Sequence, residues 1–101
     1  MPIERKSMTT PQSTIDKLQR DLKTYRKYVN HVALKIKKYD VITKQAVPII
    51  KREIADGKVG PNTLKAYLNS RRYGRRTMAD ALRHWQNKAR ATSNALNATR
   101  R

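Results

Sequence analysis

The fold is decided by residues 15–39, whose sequence is IDKLQRDLKTYRKYVNHVALKIKKY. Apolar residues recur there in alternating steps of three and four, as they do at the a and d positions of a heptad repeat. The eight positions are Ile15, Leu18, Leu22, Tyr25, Val29, Val32, Ile36 and Tyr39. This spacing predicts a long amphipathic helix over residues 13–40.

The sequence leaves two packing partners open for this stripe. Its a positions are mostly β-branched, which favours a parallel two-stranded coiled coil. Asp21 and Arg26 would then pair between the two chains, and so would Lys35 and Asp40. Tyrosine at two d positions instead favours packing on the rest of the same chain. Both a homodimer through residues 15–39 and an intramolecular role are therefore compatible with the sequence.

The remaining segments predict shorter elements. Residues 1–12 contain two prolines and no periodicity, which predicts a flexible arm. Residues 41–92 predict a compact module of three helices, separated by turns at Gly57 and at Tyr73-Gly74. We expect Gly57 to end the first of these helices with a positive φ. Residues 93–101 predict a flexible basic tail, and the fold class is all-α.

The charge balance indicates a polyanionic partner. The 101 residues carry 24 Lys and Arg against 7 acids, a formal net charge of +17, and only 38% of them are hydrophobic. This supply of apolar side chains predicts a modest core. A basic excess this large on a short chain is typical of proteins that bind nucleic acid.

Other classes of function are disfavoured by the composition. The chain has no cysteine, its seven acids are scattered, and His31 and His84 stand alone. We therefore expect neither a catalytic nor a metal site, no cofactor and no enzymatic activity. No apolar run approaches the length of about 18 residues that spans a membrane. The expected location is cytoplasmic and nucleoid-associated, or inside a virion.

The candidate binding site surrounds the sequence RRYGRRTM, residues 71–78. Guanidinium groups hold phosphate or a guanine edge with two parallel hydrogen bonds. A helix beginning at Thr77 would add free N–H groups that favour an anion. The candidate nucleic-acid-binding residues are Arg71, Arg72, Arg75, Arg76, Thr77, Arg83, Gln86, Lys88 and Arg90. We expect the first four to contact phosphates, and Thr77, Arg83 and Gln86 to face base edges.

The predicted order of elements is that of a helix-turn-helix module, in which the last helix enters the major groove. Residues 47–85 also resemble the N-terminal DNA-binding region of KfrA-type plasmid proteins. The matching residues are Ala55-Asp56-Gly57-Lys58, Pro61-Asn62-Thr63, Leu68, Gly74, Arg76-Thr77-Met78 and Leu82-Arg83-His84-Trp85. The resemblance implies DNA binding by a helix-turn-helix.

The functional hypothesis is a small DNA-binding protein of phage or mobile-element type. One alternative is a structural protein of a nucleoid or virion that neutralises the genome without reading it. Another is an interaction protein that blocks an acidic surface on a host protein. RNA is also open as the ligand, because arginine-rich helices bind RNA grooves and loops.

Overall fold

The computed structural model describes residues 10–99 and contains two α-helices over that range. Helix α1 spans Gln12–Ala55 and helix α2 spans Thr63–Thr99, with no strand between residues 10 and 99. The all-α class is therefore confirmed. Most of the predicted arm, residues 1–9, and the last two residues of the predicted tail lie outside the described range.

The predicted three-helix module is wrong. Helix α1 continues past residue 40 and through Pro48, while α2 continues through Gly74 and Thr77, where the last helix was expected to begin. Proline inside a helix removes one hydrogen bond and crowds the preceding turn. The apolar stripe nevertheless keeps its phase across Pro48, because Val47 and Ile50 are both half-buried. Burial of these side chains offsets the local cost of the proline.

A tight cap ends α1, as the sequence predicts. Gly57 has a φ of 74°. The N–H of Gly57 donates to the carbonyl of Ile54 at 3.1 Å, and the N–H of Lys58 donates to that of Glu53 at 2.9 Å. These two bonds form a Schellman motif, which requires the left-handed conformation that glycine adopts without steric cost.

Replacing Gly57 by Ala is expected to lower the free energy of unfolding by about 1 kcal/mol, because a Cβ disfavours the left-handed region. No neighbouring atom would contact that Cβ, so the effect isolates backbone strain. Urea unfolding followed by circular dichroism measures the loss, with Gly60→Ala as the control at a glycine of ordinary φ. An unchanged midpoint for Gly57→Ala would contradict the assigned cap.

The chain divides into two compact units. The terminal unit comprises the described residues up to Val29 and from His84 onward, and the turn unit comprises Asn30–Arg83. In the terminal unit, Leu22 and Leu96 are the most buried side chains, with 9% and 4% of their surface exposed. Residues 93–99, predicted as a tail, continue α2 because Leu96 lies in this core.

Aromatic rings build the rest of the terminal unit. The Trp85 ring stacks on Tyr25 with centroids 5.9 Å apart, and Tyr28 contacts it at 4.6 Å. His84 meets Trp85 edge-on at 4.8 Å. Offset and edge-on contacts at these distances add to the stability gained from burying the rings. Trp85 therefore joins α2 to α1 within this unit.

The heptad stripe of α1 faces its own chain. All eight of its side chains are half-buried or buried. Tyr25 contacts Trp85 in the terminal unit, and Tyr39 contacts Arg71 in the turn unit. The intramolecular alternative therefore describes the stripe, and a dimer through the same residues would first have to separate α1 from α2.

Helix α2 carries a matching stripe with unusual members. Its members recur in steps of three, four or seven residues, and none is exposed: Leu64, Tyr67, Arg71, Gly74, Met78, Ala81, Trp85, Thr92, Leu96 and Thr99. An arginine and a glycine belong to this inward face. Polar and small members hide the periodicity that the apolar residues of α1 display.

The missing side chain of Gly74 lets the two helices of the turn unit approach each other. A Cβ at Gly74 would lie 3.1 Å from Cζ of Tyr39, and closer still to the Tyr39 hydroxyl oxygen. That hydroxyl donates a hydrogen bond of 2.9 Å to the carbonyl of Arg71. Gly74 is therefore a packing residue inside a helix, and the predicted break at this position is wrong.

Candidate nucleic-acid interface

An ion pair marks one side of the turn unit where α1 and α2 meet. The Nε of Arg75 donates to both carboxylate oxygens of Asp40, at 2.9 and 3.2 Å. The coiled-coil alternative pairs Asp40 with Lys35 of a second chain, whereas here Asp40 bonds to Arg75 of its own chain. It is the one ion pair found within 4 Å over residues 10–99.

Basic side chains flank this pair on both helices. Lys37 and Lys44 lie three residues before and four residues after Asp40, and such neighbours share a helix face. Arg72 lies three residues before Arg75 and takes the corresponding place on α2. Further basic residues follow at steps of seven along each helix, and because seven residues make about two turns, they lie on the same side of that helix. The resulting basic face comprises Lys37, Lys44, Lys51, Lys65, Arg72, Arg75, Arg76 and Arg83, all exposed.

The opposite side of the turn unit carries less charge. Lys35 lies two residues from Lys37, which rotates it by about 200° around α1, and Glu53 lies on the same side. Residues 30–83 hold 13 basic and 4 acidic side chains. Eight of these 13 basic side chains belong to the basic face, so the positive charge of the turn unit is concentrated on one side.

Arg71 serves the packing of the turn unit. Its Nε donates to the hydroxyl oxygen of Thr43 at 2.7 Å, and its Nη2 donates to the carbonyl of Tyr39 at 2.9 Å. The guanidinium carbon lies 3.4 Å from the centroid of the Tyr39 ring. These contacts combine hydrogen bonds with a cation–π interaction across the two helices. They engage Nε and Nη2, two of the three nitrogens through which Arg71 was expected to hold phosphate.

A shallow cleft links this packing to the basic face. It has a volume of about 260 Å³, and its lining includes Arg71, Arg72, Arg75 and Asp40. Arg71 closes the inner wall, while Arg72 and Arg75 lie at the exposed rim. The cleft brings three of the four predicted phosphate contacts into one place, although they differ in how far their guanidinium groups reach solvent.

The other predicted site residues are distributed over both units. Arg76 and Arg83 lie on the basic face with Arg72. Thr77 is exposed, but it lies two residues after Arg75 and so about 200° around the helix from it, and its hydroxyl donates to the carbonyl of Tyr73 at 3.2 Å. The remaining three belong to the terminal unit and are exposed there: Gln86, Lys88 and Arg90.

Residues 71–76 lie in the interior of α2, so the helix start expected beside them does not exist. Free backbone N–H groups occur only in the first turn of a helix. The arginines therefore act through their side chains alone. Sequence reasoning missed the lysines of the basic face, although the seven-residue spacing of Lys37, Lys44 and Lys51 was available as a signal.

Replacing Asp40 by Asn is expected to raise the affinity for duplex DNA about five- to tenfold at 0.1 M salt. The change frees Arg75 and adds one contact to the basic face, and each phosphate contact contributes about that factor at this ionic strength. Stability is expected to change by less than about 1 kcal/mol, since the pair is exposed. Fluorescence anisotropy measures the affinity.

The matched control is Asp56→Asn, which makes the same change in charge at the turn. Equal gains for the two variants would show that net charge alone decides the affinity, and that the position of Asp40 has no special effect.

The described residues contain no group of three or more side chains suited to a metal ion. Neither helix between residues 10 and 99 has an apolar stretch long enough to cross a membrane. A comparison with known protein families, curated proteins and solved structures finds no match to this chain. The resemblance to KfrA-type proteins stays a prediction.

Proposed function

We propose that this protein binds nucleic acid without catalysis, and that its basic face holds the phosphate backbone of duplex DNA. The observation that supports the proposal is the row of exposed Lys and Arg on each helix, on the side marked by Asp40 and Arg75. Such clustering favours a polyanion, because each added phosphate contact releases a condensed counterion.

The dimensions of the face suit a duplex. From Lys65 to Arg83 the α2 row extends over about 27 Å at 1.5 Å per residue. A DNA strand presents one phosphate per 3.4 Å of axis, so roughly eight phosphates pass along that length. The lysines of α1 add a second row beside it, about 8–10 Å away.

The same dimensions favour contact with the backbone over reading of bases. Two helices side by side form a face about 20 Å wide, whereas the major groove is about 12 Å wide. Thr77, a candidate for base contact, also lies away from the basic face. We therefore propose a protein that tolerates many sequences, which suits a role in a nucleoid or within a virion.

A titration with labelled oligonucleotides tests this function. The ligands are two 24-base-pair DNA duplexes of unrelated sequence, a single strand and an RNA duplex, each at 50 and 200 mM salt. We expect similar affinities for the two DNA duplexes and a loss of about 10²–10³-fold between the two salt concentrations, for about five contacts. Affinity that is indifferent to salt would contradict the proposal.

The titration with single-stranded DNA is repeated with one variant, Tyr73→Ala. Tyr73 is 76% exposed and follows Arg72 directly, and exposed aromatic rings stack on unpaired bases. If the single strand binds more tightly than the duplex and Tyr73→Ala removes the difference, the ligand is single-stranded and the duplex assignment is wrong. Preference for the RNA duplex would assign RNA in place of DNA.

A further inference from the structure

The outer side of α1 in the turn unit carries apolar side chains that no other residue between 10 and 99 buries. Leu34, Val41, Ile42 and Ile49 are each 48–58% exposed. Leu34 and Val41 are seven residues apart, Ile42 is next to Val41, and Ile49 follows Ile42 by seven residues, which places all four along one side of the helix. Isolated exposed apolar residues are ordinary, but a row of four along one helix marks an interaction surface.

Part of this row forms a groove. Leu34, Val41 and Ile42 line it together with Lys37 and Lys38, and its volume is about 370 Å³. The exposed wall is apolar, so the two lysines contribute their aliphatic stems to the groove. Their ammonium groups can remain in water at its edge. The groove thus combines an apolar floor with a positively charged rim.

We infer that this apolar groove binds an amphipathic helix of a partner protein with acidic residues flanking its apolar stripe. From Leu34 to Ile49 the row is about 22 Å long, which matches about 15 residues of a helix. Helices dock into such rows through apolar residues spaced three, four and seven apart. Carboxylates beside that stripe would meet the lysines at the rim and orient the partner.

Charge selects this occupant over a second copy of the chain. A second copy would bring its own Lys37 and Lys38 against the same residues, and like charges across an interface oppose association. The inference does not depend on the proposed function. The groove faces away from α2, and only Lys37 belongs to both the groove and the basic face.

A synthetic peptide of about 18 residues tests the groove. It carries Leu at a and d positions and Glu at the flanking positions, with a fluorescent label. The control peptide has the same composition in shuffled order, so it keeps the charge and loses the stripe. We expect the protein to bind the amphipathic peptide about tenfold more tightly than the shuffled one. Equal binding would overturn the inference, because charge alone would then explain it.

Two protein variants locate the site. Val41→Gln combined with Ile42→Gln removes apolar surface at exposed positions and should leave the melting temperature and DNA affinity unchanged. It should reduce peptide binding to the level of the shuffled peptide. Tyr73→Gln, which changes an exposed ring outside the groove, should leave peptide binding intact. A double variant that binds the peptide as well as the parent would overturn the assignment.

Two further measurements test the other possible ligands of the groove, which are a second copy of the chain and a membrane surface. Sedimentation of the parent at high concentration would reveal a dimer, and a dimer that the Val41 and Ile42 substitutions abolish would assign the groove to a second copy. Binding to vesicles containing phosphatidylserine, lost in the same double variant, would assign it to a membrane surface. Either result would overturn the inference of an acidic helix, and the absence of both supports it.

Discussion

Replacing Arg72, Arg76 and Arg83 together by Gln is expected to weaken binding to duplex DNA by about 10²–10³-fold at 0.1 M salt. All three are exposed on the basic face. Each phosphate contact contributes a slope of about 0.9 in log K against log salt, which is about eightfold at this ionic strength. The slope should therefore fall by about 3 relative to the parent protein.

The control for this variant removes the same charge from elsewhere in the turn unit. Lys35, Lys38 and Arg52 are exposed residues of α1 outside the basic face, and their combined replacement by Gln should cost less than about tenfold. Anisotropy titrations at four salt concentrations compare the two triple variants. Equal losses would mean that the protein attracts DNA through its net charge, without a defined face.

Replacing Gly74 by Ala is expected to lower the free energy of unfolding by about 2 kcal/mol. In an ordinary helix interior this substitution stabilises by about 1 kcal/mol. Here the new Cβ would overlap the Tyr39 hydroxyl and lie 3.1 Å from its Cζ, and overpacking of this kind costs about 1–3 kcal/mol. The Tyr39 ring cannot move without losing its bond to the Arg71 carbonyl and its contact with the Arg71 guanidinium.

A double-mutant cycle tests the cause of this loss. In a Tyr39→Leu background the obstacle is gone, so Gly74→Ala should become neutral or stabilise by up to about 1 kcal/mol. Ser70→Ala, at an exposed position four residues away, provides the ordinary effect of alanine in α2. If Gly74→Ala stabilised the parent protein, the close approach of the two helices at this position would be disproved.

The sequence predicted α1 better than α2 for a physical reason. Every member of the α1 stripe between residues 15 and 39 is apolar, so its helical period is visible without a structure. The α2 stripe contains Arg71 and Gly74, which usually mark an exposed face and a break. Their inward positions depend on Tyr39, which lies 35 residues before Gly74 in the chain. Such a pairing between distant residues leaves no signal in a local pattern.

Only part of the candidate site could be predicted, because the rest also depends on contacts between residues that are distant in the chain. Arg72, Arg75, Arg76 and Arg83 share the basic face, and their proximity in sequence already suggested a cluster. The lysines of α1 join them only because α1 continues past residue 40, where its end was predicted, and packs beside α2 in the turn unit. The predicted boundary between residues 40 and 41 assigns Lys37 and Lys44 to different elements, so the three lysines that α1 contributes to the eight-residue face could not be recognised as one row.

Protection of lysine side chains from acylation tests the basic face most directly, because it uses the unaltered protein. The protein is treated with an amine-reactive reagent with and without duplex DNA, and each lysine is quantified by mass spectrometry. We expect DNA to protect Lys37, Lys44, Lys51 and Lys65 and to leave Lys35 and Lys38 reactive. Equal protection of all six lysines, or protection of Lys35 without Lys44, would contradict a phosphate-binding face on this side of the turn unit.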